Sequence, residues 1–146
     1  MFKNILIPTD GSELSQRAVR MAVELARLHQ ARLTGIHVIP DYHLLIAYEG
    51  AFDPVTEERI EEEAKARAQT YLAFVRKCAD DAGVPCDMMC ETSDHPHDAI
   101  LKAAAARNCD LIVMTSHGRK GLAAVLLGSE TRKVLTHTRI PVLVVR

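Results

Sequence analysis

Residues 114–131 read MTSHGRKGLAAVLLGSET, a stretch that gathers glycines, hydroxyls, two cations and an acid. Gly118 and Gly121 flank Arg119 and Lys120, and Gly128-Ser129-Glu130-Thr131 follows a run of alanine, valine and leucine. Glycines let backbone N–H groups approach an oxyanion closely and tolerate positive φ. A helix opening at Gly128-Ser129 offers unpaired N–H groups and the positive end of its dipole to a phosphate. Ser129 adds a hydroxyl donor; Arg119 and Lys120 add positive charge nearby. Anion binding is the chemistry this set could do. The same residues also suit a turn and a helix cap, so their place in the fold must decide.

Other chemistries find less footing. No Gly-x4-Gly-Lys-Ser/Thr is present, and no Gly-x-Gly-x-x-Gly follows the first strand, so neither common phosphate motif applies. No serine lies in Gly-x-Ser-x-Gly and no cysteine has an obvious local base, which leaves a covalent hydrolase unsupported. Asp10, at a strand end beside Gly11, suits either a ligand contact or a turn before the next helix. His95-Pro96-His97 with Asp98 could hold a metal, but a helix with Pro96 in its first turn, capped by Asp94 or His95, explains the group more simply. Met88 and Met89 read as strand packing, and Glu57–Glu63 as a solvated helix face.

The elements that must position these residues follow from periodicity. KNILIPT (3–9), ARLTGIHVIP (31–40), 85–92, DLIVMTS (110–116) and PVLVV (141–145) are short apolar runs bounded by turn residues, as buried strands are. Between them, Leu14, Ala18, Met21, Ala22 and Leu25 fall at helical spacing after Ser12, a good cap. Ile60, Ala64, Tyr71, Val75, Cys78 and Ala82 form a stripe on a long helix from Pro54 to about Ala82. Shorter helices are expected after Ser93 and over 129–138. Residues 41–53 have no clear periodicity and read as a loop.

Strands alternating with helices imply a single-domain three-layer α/β/α sandwich, its parallel sheet covered on both faces and joined by right-handed crossovers. In such sheets ligands sit at the carboxyl ends of the strands where strand order reverses. If the first three strands run outward one way and the last two the other, that crevice lies between Pro8-Thr9-Asp10-Gly11 and Thr115-Ser116-His117-Gly118. The glycine-rich stretch falls at the predicted pocket.

The chain has 146 residues, 48% of them hydrophobic and 25% charged, with a formal net charge of −1. Those values describe one globular domain and argue against a basic nucleic-acid-binding face. No apolar run reaches the ~18 residues of a membrane span, and MFKNILIPTD does not read as a secretory signal. Four cysteines without an export signal are read as reduced cytosolic thiols; Cys86 and Cys90, four apart on one strand face, are too far apart to bridge.

These residues resemble the universal stress protein family over the whole chain: KNILIPTDGSELSQRA in its opening strand, acidic turn and first helix, and HGRKGLAAVLLGSETRKVLTHTRIPVLVV in its most characteristic segment. The resemblance implies a five-stranded parallel sheet in order 3-2-1-4-5, of the adenine nucleotide alpha hydrolase-like kind. Some members bind ATP through Gly-x2-Gly-x9-Gly-Ser/Thr. Here Gly118 and Gly128-Ser129 match, while Thr115 replaces the first glycine. The resemblance carries nucleotide contacts onto Pro8, Thr9, Asp10, Val38, Gly118, Gly128, Ser129 and Glu130, with Met114, Thr115, His117, Arg119 and Thr131 beside them. Val38 would meet the adenine through its backbone.

The expected ligand is ATP, or AMP or ADP, with Mg2+ held mainly by the phosphates. At most slow hydrolysis is expected, since nothing supplies a convincing general base. In order 3-2-1-4-5 the last strand is an apolar edge, and pairing Val142, Leu143, Val144 and Val145 with a second copy about a twofold axis would satisfy it; the resemblance also implies homodimers. The resulting expectation is a cytoplasmic, ATP-binding, homodimeric stress-response regulator or sensor. The alternative is an interaction module of the same family that binds no nucleotide and works through its dimer and the 41–53 loop. Weaker still is a small nucleotidyl-transfer or phosphate-ester enzyme.

Overall fold

The computed structural model describes residues 1–42, 54–118 and 127–146. Nine elements alternate along the chain: β1 (Asn4–Pro8), α1 (Glu13–His29), β2 (Arg32–Ile39), α2 (Pro54–Asp81), β3 (Cys86–Thr92), α3 (Pro96–Ala106), β4 (Leu111–Thr115), α4 (Ser129–His137) and β5 (Val142–Val145). The strands form one sheet in order β3-β2-β1-β4-β5, and every neighbouring pair is parallel. The expected architecture is the observed one. Of the loop expected at 41–53, residues 43–53 lie outside the described residues, as does 119–126 of the quoted stretch.

The apolar runs are continuous rather than alternating because both sheet faces are covered. On β1, Ile5 and Ile7 turn to one face and pack with Ala18, Val19 and Ala22 of α1 and Val75 and Ala79 of α2. Leu6 turns to the other face and joins Ile112 and Met114 of β4, Ile100 and Ala104 of α3, and Val134 of α4. The inward row of α2 is Ala64, Ala68, Leu72, Val75 and Ala79; Tyr71, Cys78 and Ala82 of the predicted stripe sit at its margin, half-buried. Ser12 caps α1 as expected, its side chain accepting from the Ser15 N–H at 3.2 Å.

The cap of α3 differs from expectation, while α4 opens at Gly128-Ser129 as expected. His95 precedes α3, yet its side chain makes no cap hydrogen bond. Asp94 instead accepts from the Asp41 N–H at 3.1 Å. Gly128, not Ser129, occupies the N-cap of α4, so Ser129 is the first helical residue and its hydroxyl is not engaged as a cap. All four cysteines are free thiols. Burial pushes Cys86 and Cys109 up to about 11, against weaker opposing pulls from Arg76 and the Gly35 backbone on Cys86, and from Thr34 and Arg107 on Cys109. Neither is an activated nucleophile.

Candidate functional site

The carboxyl ends of β1, β2 and β4 open onto a cleft of about 430 Å³. Pro8, Thr9 and Asp10 come from the end of β1, Val38 from β2, and Met114, Thr115, His117 and Gly118 from β4 and the turn after it. Gly128, Ser129, Glu130 and Thr131 close it from the start of α4. Thus the residues singled out from sequence for the anion site line one cleft, except Arg119, Lys120 and Gly121, which lie outside the described residues. Sequence reasoning missed Ser15, Ile36, His37, Pro96 and Ile100, which also line it. Ile36, Val38, Pro96, Ile100 and Met114 make an apolar wall; Asp10, His117 and the α4 start make a polar rim.

The turn after β1 is held by bonds to β2 and to the start of α1. Thr9 donates its N–H to Ile36 O at 2.9 Å, and its Oγ1 lies 2.8 Å from Ser15 Oγ. His37 Nδ1 donates to Thr9 O at 2.7 Å, which fixes the ring hydrogen on that nitrogen. Asp10 Oδ1 accepts from the Ser12 N–H at 2.9 Å.

Opposite, Gly118 comes so close that a Cβ there would lie 2.9 Å from Asp10 Oδ2. A Cβ on Gly128 would lie 3.1 Å from both His117 Cα and Ser116 O. Neither glycine has positive φ; among the described residues the positive-φ glycines are Gly11 and Gly83. Close approach, not left-handed backbone, explains them.

The α4 start is presented rather than filled. Gly128 donates its N–H to Ser116 O at 2.6 Å, and Arg132 is the first residue to donate back, to Gly128 O at 3.0 Å. The N–H groups of Ser129, Glu130 and Thr131 therefore precede the helical ladder, and none finds an acceptor among the described residues. Thr131, buried, spends its hydroxyl on Thr115 O at 2.8 Å, which ties α4 to β4. Thr115 itself sits in extended strand paired with Val145. A threonine in place of glycine there carries no backbone strain.

Glu130 bridges the starts of two helices. Its Oε2 accepts from the His97 N–H at 2.9 Å and lies 3.0 Å from His97 Nδ1, and its Oε1 pairs with Lys133 Nζ at 2.9 Å. It thereby supplies α3 with the cap that Asp94 and His95 do not. Partial burial works to raise its carboxyl, but the bonds from Lys133 and His97 outweigh this and hold it below the ordinary value. Among the described residues no three His, Cys, Asp or Glu side chains are grouped to hold a metal ion.

The whole chain, residues 1–146, matches the model of the universal stress protein family. A universal stress protein of Thermus aquaticus is 35% identical, with 100% of each chain covered. The universal stress protein UspA of Lactobacillus plantarum superposes with a TM-score of 0.80 at 27% identity, covering 99% of this chain and 97% of that one. The same fold recurs in a universal stress protein in complex with cAMP (TM-score 0.71, 24% identity, 99% and 97% covered). It recurs again in one from Archaeoglobus fulgidus in complex with dAMP (TM-score 0.72, 20% identity, 99% and 98% covered). No helix among the described residues is long and apolar enough to cross a membrane.

Proposed function

This chain belongs to the universal stress protein family, and from that premise we propose that its cleft binds an adenine nucleotide, ATP foremost, in a cytoplasmic, homodimeric stress-response regulator. The observation that carries the reading is the row of three N–H groups at Ser129, Glu130 and Thr131, which have no acceptor among the described residues and belong to residues lining one cleft with an apolar wall. Phosphate oxygens need such donors, and a flat heteroaromatic base needs such a wall. The cleft volume of about 430 Å³ suits a ligand of this size. Proteins of the same fold hold cAMP and dAMP, which favours an adenine base here.

The chain's own groups divide the work. Ile36, Val38 and Met114 would exclude water around the base, and Asp10 would face the sugar. The α4 N–H groups and the Ser129 hydroxyl would hold the phosphates. AMP and ADP would fill the same seat with fewer charges. Mg2+ would rest mainly on the phosphates, since the described residues offer no cluster of three ligands. Hydrolysis is expected to be slow at most, since the sequence supplies no convincing general base.

Calorimetric titration with ATP and AMP tests the reading. Saturable binding below millimolar ligand is expected, and nucleotide should be released by denaturing freshly purified protein. Ser129→Ala should weaken ATP by roughly 5- to 30-fold, the ~1–2 kcal/mol of one hydroxyl–phosphate bond. Absence of saturable binding of either nucleotide at millimolar ligand overturns the proposal and leaves the interaction module in its place.

The dimer would form at β5. Among the described residues that strand pairs only with β4, and Leu143 is exposed on it. The carbonyls of Pro141 and Val145 accept from Ile112 and Ser116 of the β4 side, so by alternation the N–H groups of Val142 and Val144 face the open edge. Light scattering at micromolar concentration should give twice the 16.1 kDa chain mass. Val144→Pro, which removes an outward N–H and leaves the β4 ladder intact, should give a folded monomer. A monomeric wild type refutes the interface.

A further inference from the structure

Glu130 poses a problem for an anion site. Its N–H is one of the three presented donors, yet the same residue carries a carboxylate into the lining of the cleft. A negative charge beside bound phosphates opposes each phosphate added, and more so where water is partly excluded. The structure shows how that charge is restrained. Both carboxylate oxygens are engaged on the side of α3 and the outer turn of α4, Oε2 by the backbone and ring of His97 and Oε1 by Lys133.

We propose that Glu130, held by His97, sets the preference of the cleft for phosphate number. The carboxylate lowers affinity in proportion to ligand charge, and His97 limits that penalty by keeping it turned toward α3. This rests on the nucleotide reading and goes beyond it, because it names the residue pair that discriminates triphosphate from monophosphate.

The surroundings favour His97 as the restraint. Its side chain is largely buried, at 14% exposure, with Nδ1 on Glu130 Oε2 and Nε2 lying 3.4 Å from Asp98 Oδ1. The rings of His95 and His137 lie 6.1 and 6.0 Å away. Lys133 is half-exposed, at 47%, and its pairing is the more easily screened. Without the His97 ring the carboxylate keeps only the His97 N–H and this outer lysine, and is free to turn toward the cleft.

The test is a double-mutant cycle read as dissociation constants for ATP, AMP and adenosine. Glu130→Gln keeps the shape and removes the charge; it should tighten ATP about fivefold, tighten AMP less, and leave adenosine unchanged. His97→Ala should weaken ATP several-fold with adenosine unchanged, and His97→Asn, whose amide donates from near the Nδ1 position, should restore it. On the Glu130→Gln background His97→Ala should have no effect on the ATP-to-adenosine ratio.

A merely structural role for the pair would move adenosine along with ATP and would give the same His97→Ala effect on both backgrounds; either result overturns the proposal. Wild-type protein that binds all three ligands, with a ratio indifferent to Glu130→Gln, sinks this inference and spares the nucleotide reading. Wild-type protein that binds none of them sinks both.

Discussion

Gly11→Ala is expected to lower the melting temperature by roughly 5–15 °C and to weaken ligand binding with it, although Gly11 does not line the cleft. Gly11 has φ +74, a left-handed conformation that costs any other residue about 1 kcal/mol or more. A Cβ there would also lie 2.2 Å from Cδ1 and Cε1 of Tyr71. That ring is not a loose end. It stands edge-on to His37 with centroids 5.2 Å apart, and His37 in turn holds Thr9 O. Overpacking of this kind costs ~1–3 kcal/mol, for a total of ~2–4 kcal/mol. Moving the ring moves the imidazole and then the turn that carries Asp10. Gly11→Ala combined with Tyr71→Leu should recover the packing part and leave the backbone part. A thermal scan in which Gly11→Ala melts within about 2 °C of wild type contradicts the argument.

Gly11 and Tyr71 also mark where the sequence stops being legible. The strands were readable because a sheet buried on both faces forces runs such as ILI and LIVM, with no polar interruption. Helix α1 was readable because its cap and its apolar spacing are local. Strand order came with the family resemblance, since no pattern within β2 announces that it lies between β1 and β3.

What stayed hidden depends on residues far apart in the chain. His37 and Ile36 look like ordinary strand interior until Thr9 and Met114 are brought beside them. The cap of α3 was sought in Asp94 and His95, the local acceptors, whereas the structure supplies Glu130 from 33 residues past His97. The glycines were recognised as meaningful for close approach to an anion and for positive φ, whereas Gly118 and Gly128 lack the positive φ and are crowded by the protein's own Asp10, Ser116 and His117. A glycine required by a neighbour's approach carries the same letter as one required by its own φ.

Gly128→Val should abolish more binding than stability, and it separates those two reasons for glycine. The backbone at Gly128, φ −57 and ψ 149, is open to any residue, so no left-handed penalty applies. The obstacle is backbone on the far side: His117 Cα and Ser116 O, each 3.1 Å from the Cβ position. Backbone cannot rotate away as a side chain would. Valine must therefore push the α4 start off the end of β4, stretching the 2.6 Å bond from Gly128 N–H to Ser116 O and re-aiming the three N–H groups behind it. Oriented donors lose their advantage quickly with misalignment, so ATP affinity should fall at least tenfold, about 1.4 kcal/mol, while adenosine falls less. Gly118→Ala is the natural contrast. Its Cβ meets a side-chain oxygen of Asp10 rather than backbone, and the carboxylate must turn about its bond from the Ser12 N–H, so its effect should be smaller and should reach adenosine as much as ATP. If Gly128→Val binds ATP as wild type does, the phosphates are not held at the start of α4, whatever else the cleft accommodates.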